Sequence, residues 1–140
     1  MEREMKFRAF YKPRKKMYWF ELWGNFKSGD GYIGMVPIGE TREKGTSHNG
    51  NMILIDPGDC EITQFTGLKD KNRKDIYEGD IVKHKYRMWS TDEHVSQVEW
   101  DDLWCCFYLN DGIIKHRMRS DIMYKVIGNI YENPELLKTL

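Results

Sequence analysis

The stretch from Glu61 to Val82 limits what this chain can fold into more than any other. It reads as strand, charged turn, strand. Ile62 to Phe65 can pair in a sheet, Gly67 supplies a bend, and Lys69 to Asp75 form a solvated turn. Ile76-Tyr77 and then Gly79 to Val82 return to extended structure. β-Branched and aromatic residues suit a half-buried pleated surface, while Gly, Asp and Asn favour turns. Arg73 adds a constraint. A two-residue hairpin turn prefers Asn-Gly, because both central residues need positive φ. Asn72-Arg73 in that turn would cost ~1 kcal/mol. The sequence therefore predicts a longer loop, or a type I turn with the left-handed residue elsewhere.

From Asp80 onward the alternation is regular. Val82, His84, Tyr86 and Met88 fall on one face, and Ile81, Lys83, Lys85 and Arg87 on the other. Val95 to Trp100 and Trp104 to Leu109 read as the next two strands. Asn110-Asp111-Gly112 marks a tight turn. Ile113 to Arg119 alternates again, with Ile114, His116 and Met118 opposite Lys115, Arg117 and Arg119. Met123 to Tyr131 is the last strand, with Gly128 allowing a bulge or close packing. Asn133-Pro134-Glu135 has the cap, first-position Pro and acid that open a short C-terminal helix.

The N-terminal third is patterned differently. Met5 to Tyr11 reads as a half-buried strand with Phe7, Ala9 and Tyr11 inward, and Lys12 to Lys16 as a turn around Pro13. Met17 to Trp23 pairs with it as a hairpin. Tyr18, Trp19, Phe20, Leu22 and Trp23 are too dense for a strand with one wet face, so they are the expected interface of a homo-oligomer. Gly24 to Gly50 is Gly-rich and polar, and it is expected to be the most mobile part, with a short strand at Tyr32 to Val36. Met52 to Asp56 is a strand ended by Pro57-Gly58-Asp59.

Three segments carry a family resemblance. Gln64-Phe65-Thr66-Gly67-Leu68-Lys69-Asp70-Lys71-Asn72, followed by Ile76 to Val82, resembles the signature of the YopX family of phage and prophage proteins. Met5 to Phe10 resembles the family's opening, and Val126 to Leu137 resembles its close. The resemblance implies a small β-rich protein carried by phages of Gram-positive bacteria, with no established activity. Arg73 stands where the family usually has Gly, and Phe10-Tyr11 replace a more common Trp-Asp. Gly24 to Gly50 matches no part of the pattern.

The expected fold is mainly β, within a β-rich α+β class. Residues 1–60 form an N-terminal β-hairpin region with the Gly-rich loop. Residues 61–140 form an SH3-like small barrel with a short C-terminal helix, since the strands between Ile76 and Tyr131 number about five. The 140 residues are 40% hydrophobic and 14% aromatic, which argues against disorder. No apolar run approaches a membrane span, and no signal peptide is visible at the N-terminus. Three Cys, two of them adjacent, suit a reducing bacterial cytosol better than a disulfide framework.

The formal charge is zero, but it is blocked along the chain. Residues 1–16 carry seven Lys/Arg against two Glu, while residues 88–112 hold six acids and no Lys or Arg. No catalytic, metal or cofactor site is expected. His48, His84, His94 and His116 lack ligand spacing with the cysteines. Cys105 and Cys106 read as buried residues of an aromatic-rich strand rather than a thiol nucleophile served by His116. Glu78 and Asp80 read as turn chemistry. What remains is binding, either to a host or phage protein and to a second copy, or to nucleic acid. For nucleic acid, Lys83, Lys85, Arg87, Lys115, Arg117 and Arg119 would grip phosphates while Trp89 and Tyr86 stack bases. The protein-binding reading is preferred. Asp92, Glu93, Asp101 and Asp102 decide between the two: within ion-pair reach of the cations, they would turn both stripes into ordinary cross-strand pairs.

Overall fold

The structure is a computed structural model. It describes residues 4–23, 32–37, 53–55, 57–86 and 89–138, with the side chains of 19–23, 32–37, 53–55 and 57 excepted. The loop from Gly24 to Gly50 therefore lies outside the described residues, apart from 32–37. So do Arg87 and Met88, and the side chains of Trp19, Phe20, Leu22 and Trp23. The chain is mainly β and divides into two compact units, Phe7–Thr63, and Met1–Lys6 with Gln64–Leu140. No helix among the described residues is long and apolar enough to cross a membrane.

The first unit is an antiparallel array. Its strands are β1 (Phe7–Tyr11), β2 (Lys16–Trp23), β3 (Tyr32–Pro37), β4 (Ile53–Ile55) and the start of β5 (Cys60–Lys69), in the order β4-β3-β2-β1-β5. Pro13 fits the 3₁₀ turn Lys12–Arg14, and Lys15 closes it in the left-handed region at φ 50°. The register then pairs Arg8 with Trp19 and Tyr11 with Lys16. The expected half-buried β1 is not what forms. Arg8, Ala9 and Phe10 are all buried in succession, so both faces are covered. Arg8 is tolerated there because its Nε–H donates to Thr63 Oγ1, itself buried (3.4 Å). β2 has ladder partners on both sides, β1 and β3. Its apolar density is what an inner strand needs. Tyr18, proposed for an oligomer interface, is 1% exposed and packs edge-on against Tyr11 at 6.3 Å, so it belongs to the core of its own unit.

The second unit contains the end of β5, β6 (Asp75–Tyr77) and a five-stranded antiparallel sheet. That sheet comprises β7 (Asp80–His84), β8 (His94–Asp101), β9 (Cys106–Asn110), β10 (Lys115–Arg117) and β11 (Tyr124–Asn129), in the order β10-β9-β8-β7-β11. It is a four-strand meander whose first strand also takes the last as a neighbour. The core gathers on one face: Val82 from β7, Val98 from β8, Phe107 and Leu109 from β9, and Tyr124 from β11, joined by Ile76.

Turn chemistry fixes the joints. At Asp70–Lys74 the Arg73 N–H donates to Asp70 O (3.0 Å), and the Asp70 N–H donates to Lys74 O (2.8 Å). The loop is longer than two residues, as expected, yet Arg73 itself takes the left-handed conformation at φ 63°. Gly79 turns at φ 85°, and Asp80 accepts the Tyr77 N–H (2.8 Å). Glu78 and Asp80 are thus a turn pair. β11 shifts register between Val126 and Gly128. A side chain at Gly128 would collide with Asn133 Oδ1 at 2.6 Å, so the bulge and the close packing occur together. The short helix expected after Asn133 is a single 3₁₀ turn, Pro134–Leu137. Asn133 does not cap it: its Oδ1 reaches back to the Asn129 N–H (3.3 Å).

Trp104 and Cys105 leave the strand predicted for them. The Asp101 carboxylate accepts the N–H groups of Leu103 (2.8 Å) and Trp104 (3.0 Å), which makes a turn of that stretch. Cys105 sits in it exposed, at φ 49°, rather than buried.

Candidate functional site

In an antiparallel sheet, residues directly opposite each other share a face. Lys115 lies opposite Asn110, Asn110 opposite Gln97, and Gln97 opposite Ile81. Ile81 and Lys83 are two apart on β7, so Lys83 and Lys115 belong to the same face, the one opposite Val82, Val98 and Leu109, on which Ile81 is itself fully buried. Arg117 joins through Tyr108 and Glu99. Lys83 of the first predicted stripe and Lys115 and Arg117 of the second therefore share one face. The two stripes are not neighbours, because β8 and β9 lie between them, a span of roughly 14 Å at about 4.8 Å per strand.

The two stripes meet different surroundings. On β10, Lys115 Nζ lies 5.0 Å from the centre of the Tyr108 ring and the Arg117 guanidinium 4.7 Å from that of Trp104. Between the stripes, Glu99 accepts hydrogen bonds from the Tyr108 hydroxyl and from Asn110 Nδ2 (3.2 Å). The bond to Glu99, followed by burial, pushes the Tyr108 hydroxyl up to about 12. Arg119, past the end of β10, turns onto Asp121 with bonds of 2.8 and 2.5 Å. Trp89 is 78% exposed, at the surface where the sequence placed it.

On β7 the cations gather. Lys83 and Lys85 line a cleft of about 440 Å³ together with Lys71 and Lys125. Lys125 is the cross-strand partner of Lys83. Glu93, Asp121, His84, Ile122, Met123 and Tyr124 complete the lining. Sequence reasoning missed Lys71 and Lys125. Lys71 looked like ordinary turn charge, and the pairing of the last strand with β7 carries no local signal. Asp70 sets their geometry. It is 7% exposed, and its carboxylate accepts the N–H groups of Asn72 (2.8 Å), Lys74 (2.9 Å) and Val126 (3.1 Å). Burial pushes its pKa up, but those N–H donors outweigh burial and hold it below the usual carboxylate range. The Lys71 N–H donates to Tyr124 O (2.8 Å), so the hairpin loop is tied to β11 at two points.

Beneath the cations, on the core face, lies a histidine cluster. His84 is 2% exposed, and its Nε2 shares a 2.7 Å bond with Ser96 Oγ. Tyr86 packs against His84, His94 and His116 with ring centres 4.9, 4.2 and 4.1 Å away. The Tyr86 hydroxyl donates to Asp111 Oδ2 (2.6 Å). Burial first, then the proximity of His94 and His116, lowers His84 to about 4. Burial and the Asp111 bond raise Tyr86 to about 12. The Ile114 N–H and the Tyr86 hydroxyl draw Asp111 down to about 2. Tyr86 is therefore a packing centre here. Cys106 pairs with Asp101 on the outer face, while His116 pairs with Leu109 on the core face, so that thiol and that imidazole point apart. Among the described residues no group of three His, Cys, Asp or Glu side chains is placed to hold a metal ion.

The comparisons with known proteins agree with the fold. The family model described as YopX protein matches residues 6–138. The crystal structure of protein EF1440 from Enterococcus faecalis is similar at 28% identity, with a TM-score of 0.58, over 97% of this chain and 99% of that one. No curated protein is similar to the chain by sequence.

Proposed function

The chain belongs to the YopX family, and we propose that it is a non-enzymatic binding module of phage or prophage origin whose basic sheet face grips a nucleic-acid backbone. One observation carries this reading. Among the described residues, no ion pair joins Asp92, Glu93, Asp101 or Asp102 to Lys83, Lys85, Arg117 or Arg119. Those acids leave Lys83, Lys85 and Arg117 available to phosphates, while Arg119 is taken by Asp121. Lys83, Lys85 and Lys125 on one side and Lys115 and Arg117 on the other form two rails, with Trp104 and Trp89 exposed for stacking. The meander with its last strand returned beside the first supports taking the sheet as an SH3-like small barrel. A bacterial cytosol is the matching compartment.

The salt dependence of binding tests this. Log affinity for a single strand should fall with log salt at about 0.7 per phosphate neutralised. Three or four contacts give a slope of roughly −2 to −3, and Lys85→Gln with Arg117→Gln should flatten it by about 1.4. Absence of binding to any nucleic acid at about 0.15 M salt would remove the reading.

A second reading, a protein partner, is favoured by the β8–β9 tip, where Leu103 is 85% and Trp104 63% exposed. Self-association through the N-terminal region now rests on Trp19, Phe20, Leu22 and Trp23 alone. Light scattering at high micromolar concentration tests it, and a monodisperse monomer rejects it.

A further inference from the structure

We propose that the lysine cleft between β7 and β11 is a discrete site for a nucleoside phosphate. The inference rests on the basic face described above but makes a narrower claim: one phosphate group with its attached base, held in one place.

Three features support it. The first is an electrostatic cost with no visible structural return. Lys83 and Lys125 stand directly opposite each other in the β7–β11 ladder, an arrangement that destabilises a sheet. Lys71 and Lys85 line the same cleft. Of the two acids in the lining, Asp121 is held by the Arg119 fork, and Glu93 makes no ion pair with these lysines among the described residues. A bound phosphate would be the missing counter-charge.

The second feature is size and lining. A cleft of about 440 Å³ lies within the roughly 300–1,000 Å³ range of small-molecule sites. Its apolar wall comprises Ile122, Met123 and Tyr124, and Met123 is 72% exposed. Free phosphate has no use for that wall, whereas the flat face of a base does. The third feature is preorganisation. The Asp70 carboxylate and the Lys71–Tyr124 backbone bond fix the hairpin loop to β11 before any ligand arrives. Asp70 is thus a positioning residue, and the lysines make the contacts.

The phosphate can come from a free nucleotide or from the 5′ end of a strand. Calorimetric titration of the full chain with ADP, with 5′-phosphorylated oligo(dT) and with the same oligo lacking its phosphate separates the two. If the source is a free nucleotide, ADP binds and competes with the phosphorylated oligo. If the source is a strand end, ADP does not bind and the phosphorylated oligo binds more tightly than the one lacking its phosphate. In both cases Lys83→Gln/Lys125→Gln should weaken binding about tenfold or more, as expected for lost charge-assisted bonds. Lys71→Gln should weaken it less, and the control Lys138→Gln should bind as the parent does. Removing a like-charge pair does not threaten the fold, and a thermal melt checks this. The inference is overturned if ADP does not bind and the 5′ phosphate adds nothing to the oligo's affinity, or if the double variant binds whichever phosphorylated probe the parent binds as tightly as the parent does. If unphosphorylated oligo then still shows a steep salt slope, the rails stand and the cleft fails. If ADP binds through these lysines while no oligo shows a salt slope, the cleft stands and the rails fail.

Discussion

Two tripeptides in this chain have nearly the same sequence. Lys83-His84-Lys85 sits at the end of β7, and Lys115-His116-Arg117 makes up β10. Both turn a histidine to the core face of one sheet and cations to the other, and both histidines touch the same Tyr86 ring. Their fates differ because of strand position. β7 is an inner strand with β8 and β11 on its flanks, so His84 is sealed in and Lys83 is forced opposite Lys125. Among the described residues β10 is an edge strand beside β9, and its cations settle on the aromatic rings of Tyr108 and Trp104. Local sequence sets which way a residue points. Sheet order sets what it meets.

The largest effect should come from the residue that builds the β7 side. Asp70→Ala leaves three backbone N–H donors without their acceptor and should cost about 3 kcal/mol, less than three independent charge-assisted bonds because they share one group. Urea unfolding of the C-terminal unit measures it. The same variant should weaken phosphate binding in the cleft while leaving the Arg117–Trp104 contact in place. A loss under about 0.5 kcal/mol, the range of an ordinary surface substitution, would show that Asp70 is not the anchor.

The two histidines offer the next contrast. His84 is lowered from 6.5 to about 4 by burial, with His94 and His116 adding to it and Asp111 opposing. Between those values the unfolded chain takes up a proton that the native state refuses. Stability is therefore full above about pH 6.5 and is lost as pH falls toward 4, by about 3 kcal/mol at about 1.4 kcal/mol per pH unit. Asp70 and Asp111, both lowered, contribute in a separate window below about pH 4. Unfolding free energies at pH 7, 5.5 and 4.5 should show the slope, and His84→Gln should remove most of it. A flat profile in the parent chain between pH 7 and 4.5 would mean that His84 is not held neutral.

Much of this architecture was visible in the residues. The alternation from Val82 to His84 and from Lys115 to Arg117, the bulge at Gly128 and the Glu78–Asp80 turn all follow from local periodicity and turn chemistry, while Asp80, Ile81 and Val82 are buried in succession. The cleft was not visible, since Lys83 and Lys125 are joined only by the pairing of β7 with β11, which no local pattern encodes. β1 departs from its alternation for a related reason. Alternation assumes one wet face, and Arg8 can be buried because a hydroxyl from β5, Thr63, meets it. The apolar character of Trp104 and Cys105 argues for a strand, but the Asp101 carboxylate captures the backbone first.

The smallest predicted effect tests the contrast most directly, because it has opposite signs on the two strands. Lys125→Gln removes one of two opposed ammonium groups and should stabilise the C-terminal unit by about 0.5 kcal/mol, within the range for cross-strand charge pairs. Arg117→Gln removes a cation from the face of Trp104 and should destabilise it by about 0.5 kcal/mol, the lower end for an exposed cation–π contact. Salt should separate the two further. Ionic strength of about 0.5 M screens Lys83 from Lys125, so the gain from Lys125→Gln should shrink. The Arg117 contact is close and partly dispersive, so its loss should change less. Equal signs for the two variants, or a gain from Lys125→Gln that survives high salt, would mean that strand position does not divide the roles of these two basic stripes.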